Sequence, residues 1–251
     1  VFRGKRGYIA IVRGINQNEN AEREDMVALR IWCDGERVIT IRQRQLFVPR
    51  QIFTALTKEA IGPASAAELF CFLIDRVIRQ MSEIITEYSV SLDEMELVAE
   101  SDQSSAVSRK LADFRGQVVE LRRYVAPQRE ALAHLLAEPP NWLTDELRPM
   151  VREFADCQQR HLEELDALRE RSIVIKDDIT NRLNEVMNRN MYVISIIAAI
   201  FLPLSFVTGL LGINVGGMPG VDSAAAFWIT CAIMVFLLII QIWIFRKFKW
   251  F

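Results

Sequence analysis

Two apolar runs near the end of the sequence constrain the fold more than any other feature. The first, MYVISIIAAIFLPLSFVTGLL from Met191 to Leu211, carries no acidic or basic side chain and leads into the segment GINVGG. The second, AAAFWITCAIMVFLLIIQIWIF from Ala224 to Phe245, follows after a short loop. About 20 apolar residues suffice to cross the hydrocarbon core of a bilayer as a helix. A soluble core helix of this length needs apolar packing on every side, and this chain would need it twice in succession. The expected end of the chain is therefore a transmembrane hairpin: a first span over 191–211, an outer loop over 212–223, a second span over 224–245 and a basic tail over 246–251.

Bulk averages conceal this division. The 251 residues are 51% hydrophobic with a formal charge of -2, yet charge of both signs is dense up to Arg189 and nearly absent from there to Arg246. Such mixed charge is not a nucleic-acid-binding face. Lys176, Arg182 and Arg189 precede the first span, Arg246, Lys247 and Lys249 close the second, and the loop between holds only Asp222. The positive-inside rule then places both termini in the cytoplasm and the loop outside. Trp228, Trp243 and Trp250 suit interfacial anchoring. Cys33, Cys71, Cys157 and Cys231 form no CxxC pair, which argues against a zinc ribbon or a disulfide framework. The opening VFRGKRGYIA has no signal-peptide pattern and reads like the interior of a domain, so chain is expected before Val1. No HExxH or GxSxG motif is present, and an enzyme is not expected.

Residues 1–140 read as an α+β cytoplasmic domain, a small sheet with long helices. Residues 8–13 form one expected strand. Residues 27–33 and 36–42 flank Asp34-Gly35, the signal of a two-residue hairpin. Residues from Phe47 on turn helical, with Gly62-Pro63 separating two helices. In the second of these, Leu69, Phe72, Leu73, Val77, Ile78 and Ile84 make one buried stripe. A further helix carries Leu111, Val118, Leu121 and Val125 on one side; Pro127 is expected to kink or interrupt it, and Pro139-Pro140 to end it.

From residue 141 to 190 the pattern is that of a stalk helix. Leu147, Val151, Phe154, Leu162, Leu165, Leu168, Ile175, Ile179, Leu183 and Val186 recur every three or four residues, and no Gly or Pro intervenes between Met150 and Leu202. A helix from Met150 to Leu211 would be on the order of 90 Å long. Beside the apolar stripe runs a polar one: Asp177, Asn181, Asn184, Asn188, Met191 and Ser195, spaced by four, three, four, three and four residues. Around a symmetry axis, copies of it would become rings of amides below a carboxylate ring, the form of a hydrated ion path. The same face continues through Ile194, Ala198, Leu202, Ser205 and Gly209, whose apolar members would narrow and dry the path. Two spans cannot enclose a pore, so conduction requires a ring of identical chains.

With these helices, the motif Gly212-Ile213-Asn214 at the outer end of the first span, and the basic tail, the chain resembles the CorA family of divalent cation transporters. GIN followed by VGGMPG is similar to the zinc-transporting branch, whereas the family's usual GMN motif has Met at the position of Ile213. The resemblance implies a CorA-like homopentamer, with Asn214 as the filter residue that meets a hydrated cation. It implies pore-lining roles for Asn188, Met191, Ile194, Ala198, Leu202, Ser205 and Gly209, and places Asp177 where relatives bind regulatory Mg2+. It also implies proton-coupled uptake of Zn2+. The cargo is a divalent cation, with no resident cofactor expected.

The residues themselves say less about the ion. The candidate face holds no His or Cys, the soft ligands that select zinc directly. Two such ligands stand elsewhere, Cys157 and His161, four residues apart on the stalk; they supply half of the usual four. Without a metal they read as a partly buried thiol and a surface imidazole. The first span has no ionisable carboxylate, so no proton relay is visible there. A Mg2+/Co2+/Ni2+ channel, or a membrane-tethered scaffold or metal sensor that conducts nothing, are the competing functions.

Overall fold

The computed structural model describes residues 2–4, 7–18, 24–59, 62–100, 104–213, 223 and 225–247. Four strands, β1 (Phe2–Gly4), β2 (Gly7–Gly14), β3 (Val27–Cys33) and β4 (Val38–Arg42), form an antiparallel meander in the order β1-β2-β3-β4. Alternation sends Ala10 and Val12 of β2 and Leu29, Ile31 and Cys33 of β3 into the core. The hairpin between β3 and β4 differs from expectation. Cys33 pairs with Val38, so the loop is Asp34 to Arg37 rather than two residues. The Asp34 carboxylate organises it, accepting from the N–H groups of Glu36 (3.0 Å) and Arg37 (2.8 Å). Gly35 sits at φ +98, and a Cβ there would lie 2.7 Å from Trp142 Cβ, which leaves glycine as the residue that fits.

Helix α1 (Phe47–Thr54) passes into a π-helical turn, Ala55–Glu59. Helix α2 (Ala66–Ala99) starts where Ser65 accepts from Glu68 N–H (3.2 Å) while the Glu68 carboxylate accepts from Ala64 N–H (2.8 Å). The pair satisfies the Glu68 N–H, which the first helical turn leaves free, and ties down the Ala64 N–H just before the cap. Its buried stripe includes Phe70, Leu73, Ile74, Val77, Ile78, Met81, Ile84 and Ile85. Helix α3 (Ser104–Ala137) runs on through Pro127, contrary to the expected interruption. A mid-helix proline costs ~3 kcal/mol or more. Here buried Val118, Leu121 and Val125 before it and Leu132 and Leu135 after it hold both halves in the core. The Gln128 side chain adds a tie, accepting from Arg13 N–H of β2 at 3.0 Å.

Helix α4 (Arg148–Leu211) continues for 64 residues and includes Pro203. Its buried positions Val151, Phe154, Leu165, Leu168, Ile175 and Ile179 pack with α2 and α3, and exposed Arg171 pairs with Asp93 (2.6 Å) and with Glu96. The last buried residue of α4 is Ile179. Contacts divide the chain at that point into two compact units, Val1–Ile179 and Thr180–Phe251. The second contains the remainder of α4 and α5 (Ala226–Lys247), in which no residue is buried.

Candidate ion path and a Cys–His seat

Past Ile179 the sequence keeps its apolar spacing but loses its cover. Leu183 is 51% exposed and Val186 58%, so the stripe that packs α4 in the first unit faces outward in the second. The polar candidates Asn181, Asn184 and Asn188 are exposed beside it, as is Asp177 at the end of the first unit. Met191, Ile194, Ser195, Ala198, Leu202, Ser205 and Gly209 are exposed as well. The Ser195 hydroxyl donates to Met191 O at 2.8 Å, so its proton is used within the helix.

A different face of α4 meets α5. Its half-buried positions are Ile196, Ala199, Ile200, Pro203, Leu204 and Val207. With 3.6 residues per turn, the centre of this face lies roughly 170° around the helix from the face through Ile194, Ala198, Leu202, Ser205 and Gly209. One helix thus turns an apolar, small-residue face away from the helix that covers its back. Pro203 has no N–H to give to Ala199 O, the acceptor four residues earlier. The Gln241 amide of α5 donates to that same carbonyl, at a long 3.5 Å. Gln241 is the single amide in the second apolar run, and sequence reasoning passed over it although a polar side chain among so many apolar ones is itself a signal.

Gly212 closes α4, its N–H directed at Thr208 O (2.9 Å) and Gly209 O (3.2 Å), and Ile213 is half exposed. Asn214 and Asp222 lie outside the described residues.

The second candidate lies within the first unit, between α2 and α4. The His161 ring is not at the surface as expected: only 3% of the residue is exposed. Helix α2 covers it, and Ser82, for which the sequence offers no signal, lies 2.8 Å from Nε2. Cys157 Sγ approaches the same nitrogen at 3.7 Å, while Nδ1 is buried without a partner. Burial first, then the nearby positive charge of Arg160, lower the His161 pKa to about 4, which keeps the ring neutral. The adjoining cleft of about 290 Å³ is lined by both residues together with Asp75, Arg79, Arg160 and Glu164. Arg79 pairs with Asp75 at 2.8 Å and Arg160 with Glu153 at 2.9 Å. Among the described residues, no group of three or more His, Cys, Asp or Glu side chains is already gathered to hold a metal ion.

Comparison with known proteins places these features in context. Residues 5–247 match the family described as CorA-like Mg2+ transporter protein. The sequence is 37% identical over 248 residues to the divalent cation transporter CmaX of Pseudomonas aeruginosa, covering 98% of this chain and 74% of that protein. It is 34% identical over 246 residues to the zinc transport protein ZntB of Pectobacterium atrosepticum, covering 97% and 74% respectively. The full-length CmaX structure superposes with a TM-score of 0.82 at 36% identity, over 100% of this chain and 76% of that one.

Proposed function

The chain belongs to the CorA family of divalent cation transporters, and from that premise we propose that it carries Zn2+ through the axial path of a homopentamer in a bacterial inner membrane. The observation that carries this reading is the exposed face of α4 from Asn181 to Gly209, which turns from amides to small and apolar side chains and lies away from α5. Both α4 and α5 are long and apolar enough to cross a membrane. Neither has the cover that a soluble core helix would have, since no residue of α4 beyond Ile179 and none of α5 is buried. Lipid would solvate the outer faces and a ring of copies would bury Leu183, Val186 and the polar stripe.

In this reading both termini face the cytoplasm. Lys247 Nζ sits 5.0 Å from the centre of the Trp243 ring, a pairing of charge and aromatic ring suited to the headgroup level. Asp177 and the amides of Asn181, Asn184 and Asn188 would lead a hydrated cation toward the membrane, Leu202 and its apolar neighbours would control wetting, and Gly212, Ile213 and Asn214 would form the outer filter. Zinc is favoured by the GIN variant and by the zinc-transporting relatives. Inward movement driven by protons follows the zinc branch, with the coupling groups outside the first span.

One observation favours the second reading, a Mg2+/Co2+/Ni2+ channel. The proposed path offers oxygen donors and no thiolate or imidazole, and hard oxygen ligands suit Mg2+. Flux into liposomes of Zn2+ against equal concentrations of Mg2+, Co2+ and Ni2+ separates the two. Zn2+ uptake that excess Mg2+ leaves unchanged supports zinc transport; Mg2+ uptake in preference to Zn2+ supports the channel. A tethered scaffold predicts no flux of any ion.

A further inference from the structure

We propose that Cys157 and His161 form a seat for one soft divalent cation, Zn2+ rather than Mg2+, on the part of α4 that packs against α2. The two residues are four apart and therefore share one face of the helix. Tetrahedral zinc, with Zn–S about 2.3 Å and Zn–N about 2.0–2.1 Å, sets its sulfur and nitrogen ligands about 3.6 Å apart. Cys157 Sγ and His161 Nε2 stand 3.7 Å apart, so both donors are already at the spacing that one ion requires.

The surroundings of the ring point the same way. A helix seated only for stability gains nothing from buried polar atoms without partners, each of which costs about 1–3 kcal/mol. Two are present here, His161 Nδ1 and, three residues earlier on the same helix, Gln158 Oε1. A metal-bound imidazole keeps the proton on its other nitrogen and needs an acceptor for it; Gln158 Oε1 and His161 Nδ1 do not bond each other here, and a turn of the Gln158 amide would supply that acceptor. The cleft beside the pair opens to solvent. Glu164, three residues beyond His161, lines it and makes no ion pair among those described. Rotation of that carboxylate would supply a third ligand, and water a fourth.

Binding is a ligand exchange without redox change. The Cys157 thiol releases its proton to solvent, and the thiolate and the Nε2 lone pair are donated to the ion. Ser82 Oγ, which now occupies Nε2 at 2.8 Å, must withdraw. A hydrogen bond between α2 and α4 is thereby replaced by bonds confined to α4. Thiolate and imidazole select Zn2+ over Mg2+, a preference the proposed path lacks. The seat shares no residue with that path.

Co2+ serves as the spectroscopic probe, added to the protein with both units present and purified in detergent, with no membrane gradient, so that failure here is separate from failure of transport. Cys33 and Cys71 are buried, which leaves Cys231 as the competing thiol. The Cys231→Ser protein is expected to show the intense thiolate-to-cobalt band in the near ultraviolet, removed by Zn2+ and not by Mg2+. Adding Cys157→Ser abolishes the band, and His161→Gln weakens Co2+ binding by about tenfold or more. Ser82→Ala, which removes the competitor for Nε2, leaves binding equal or tighter. In the unmodified chain, Zn2+ slows alkylation of Cys157 by iodoacetamide, measured by mass spectrometry of the digested protein. Absence of the band from Cys231→Ser, its persistence in the doubly substituted chain, or Cys157 alkylation indifferent to Zn2+ would each overturn the proposal.

Discussion

Burial of the His161 imidazole sets its pKa at about 4, below the 6.5 of a free ring, so between those values the unfolded chain binds more protons than the folded one. Stability then rises with pH across that window: the contribution is complete above pH 6.5 and is lost progressively as pH falls to 4. The difference corresponds to on the order of 3 kcal/mol. In chelator-treated buffer the thermal midpoint of the wild type should fall through this window more steeply than that of His161→Gln; parallel curves would contradict the burial of the ring. This residue also shows where sequence reading stops. The spacing of Cys157 and His161 is legible, but the burial of His161 depends on α2 and Ser82, which are 79 residues away in sequence. A lone histidine among charged neighbours gives no sign of such cover. Asn214, by contrast, is proposed from its motif alone and lies outside the described residues.

At the scale of elements, α4 is held by apolar packing with ion pairs at the margin. Ile175 is 4% exposed, and truncation to alanine should cost about 2–5 kcal/mol of the first unit's stability. Arg171, 42% exposed in its pairs with Asp93 and Glu96, should cost less than about 1 kcal/mol on replacement by alanine. Denaturant unfolding that ranked the two in the opposite order would show electrostatics to govern this seat. In the hairpin, Gln241→Leu deprives Ala199 O of its donor and should lower stability by about 1 kcal/mol. Pro203→Ala restores a backbone donor to the same carbonyl, so the Gln241→Leu penalty should vanish in that background. A double-mutant cycle measured by unfolding in detergent reads this coupling, and additive effects would refute it. The helices themselves were legible because their apolar spacing is strong. The uninterrupted passage of α3 through Pro127 was not, since the packing that overrides the proline comes from residues distant in sequence. Likewise the Asp34 carboxylate, rather than the Asp34-Gly35 pair alone, decides the length of the β3–β4 loop.

For the molecule as a whole, the two apolar runs point to a membrane hairpin from the sequence, and the structure forms helices over both with no buried residue in α5 or in α4 beyond Ile179. The polar stripe through Asn181, Asn184 and Asn188 was legible as periodicity. Its meaning depends on copies around an axis, and one sequence carries no direct record of them. In the proposed function a ring of these chains conducts Zn2+ along α4 and past Asn214. The most direct test is Zn2+ entry into liposomes, read by an enclosed fluorescent indicator under imposed metal and pH gradients, for the wild type and Asn214→Ala. Entry is expected in the wild type, faster with an inward proton gradient, and lost or strongly reduced in Asn214→Ala. No wild-type flux under any gradient, or identical Zn2+ flux in the two proteins, would contradict it.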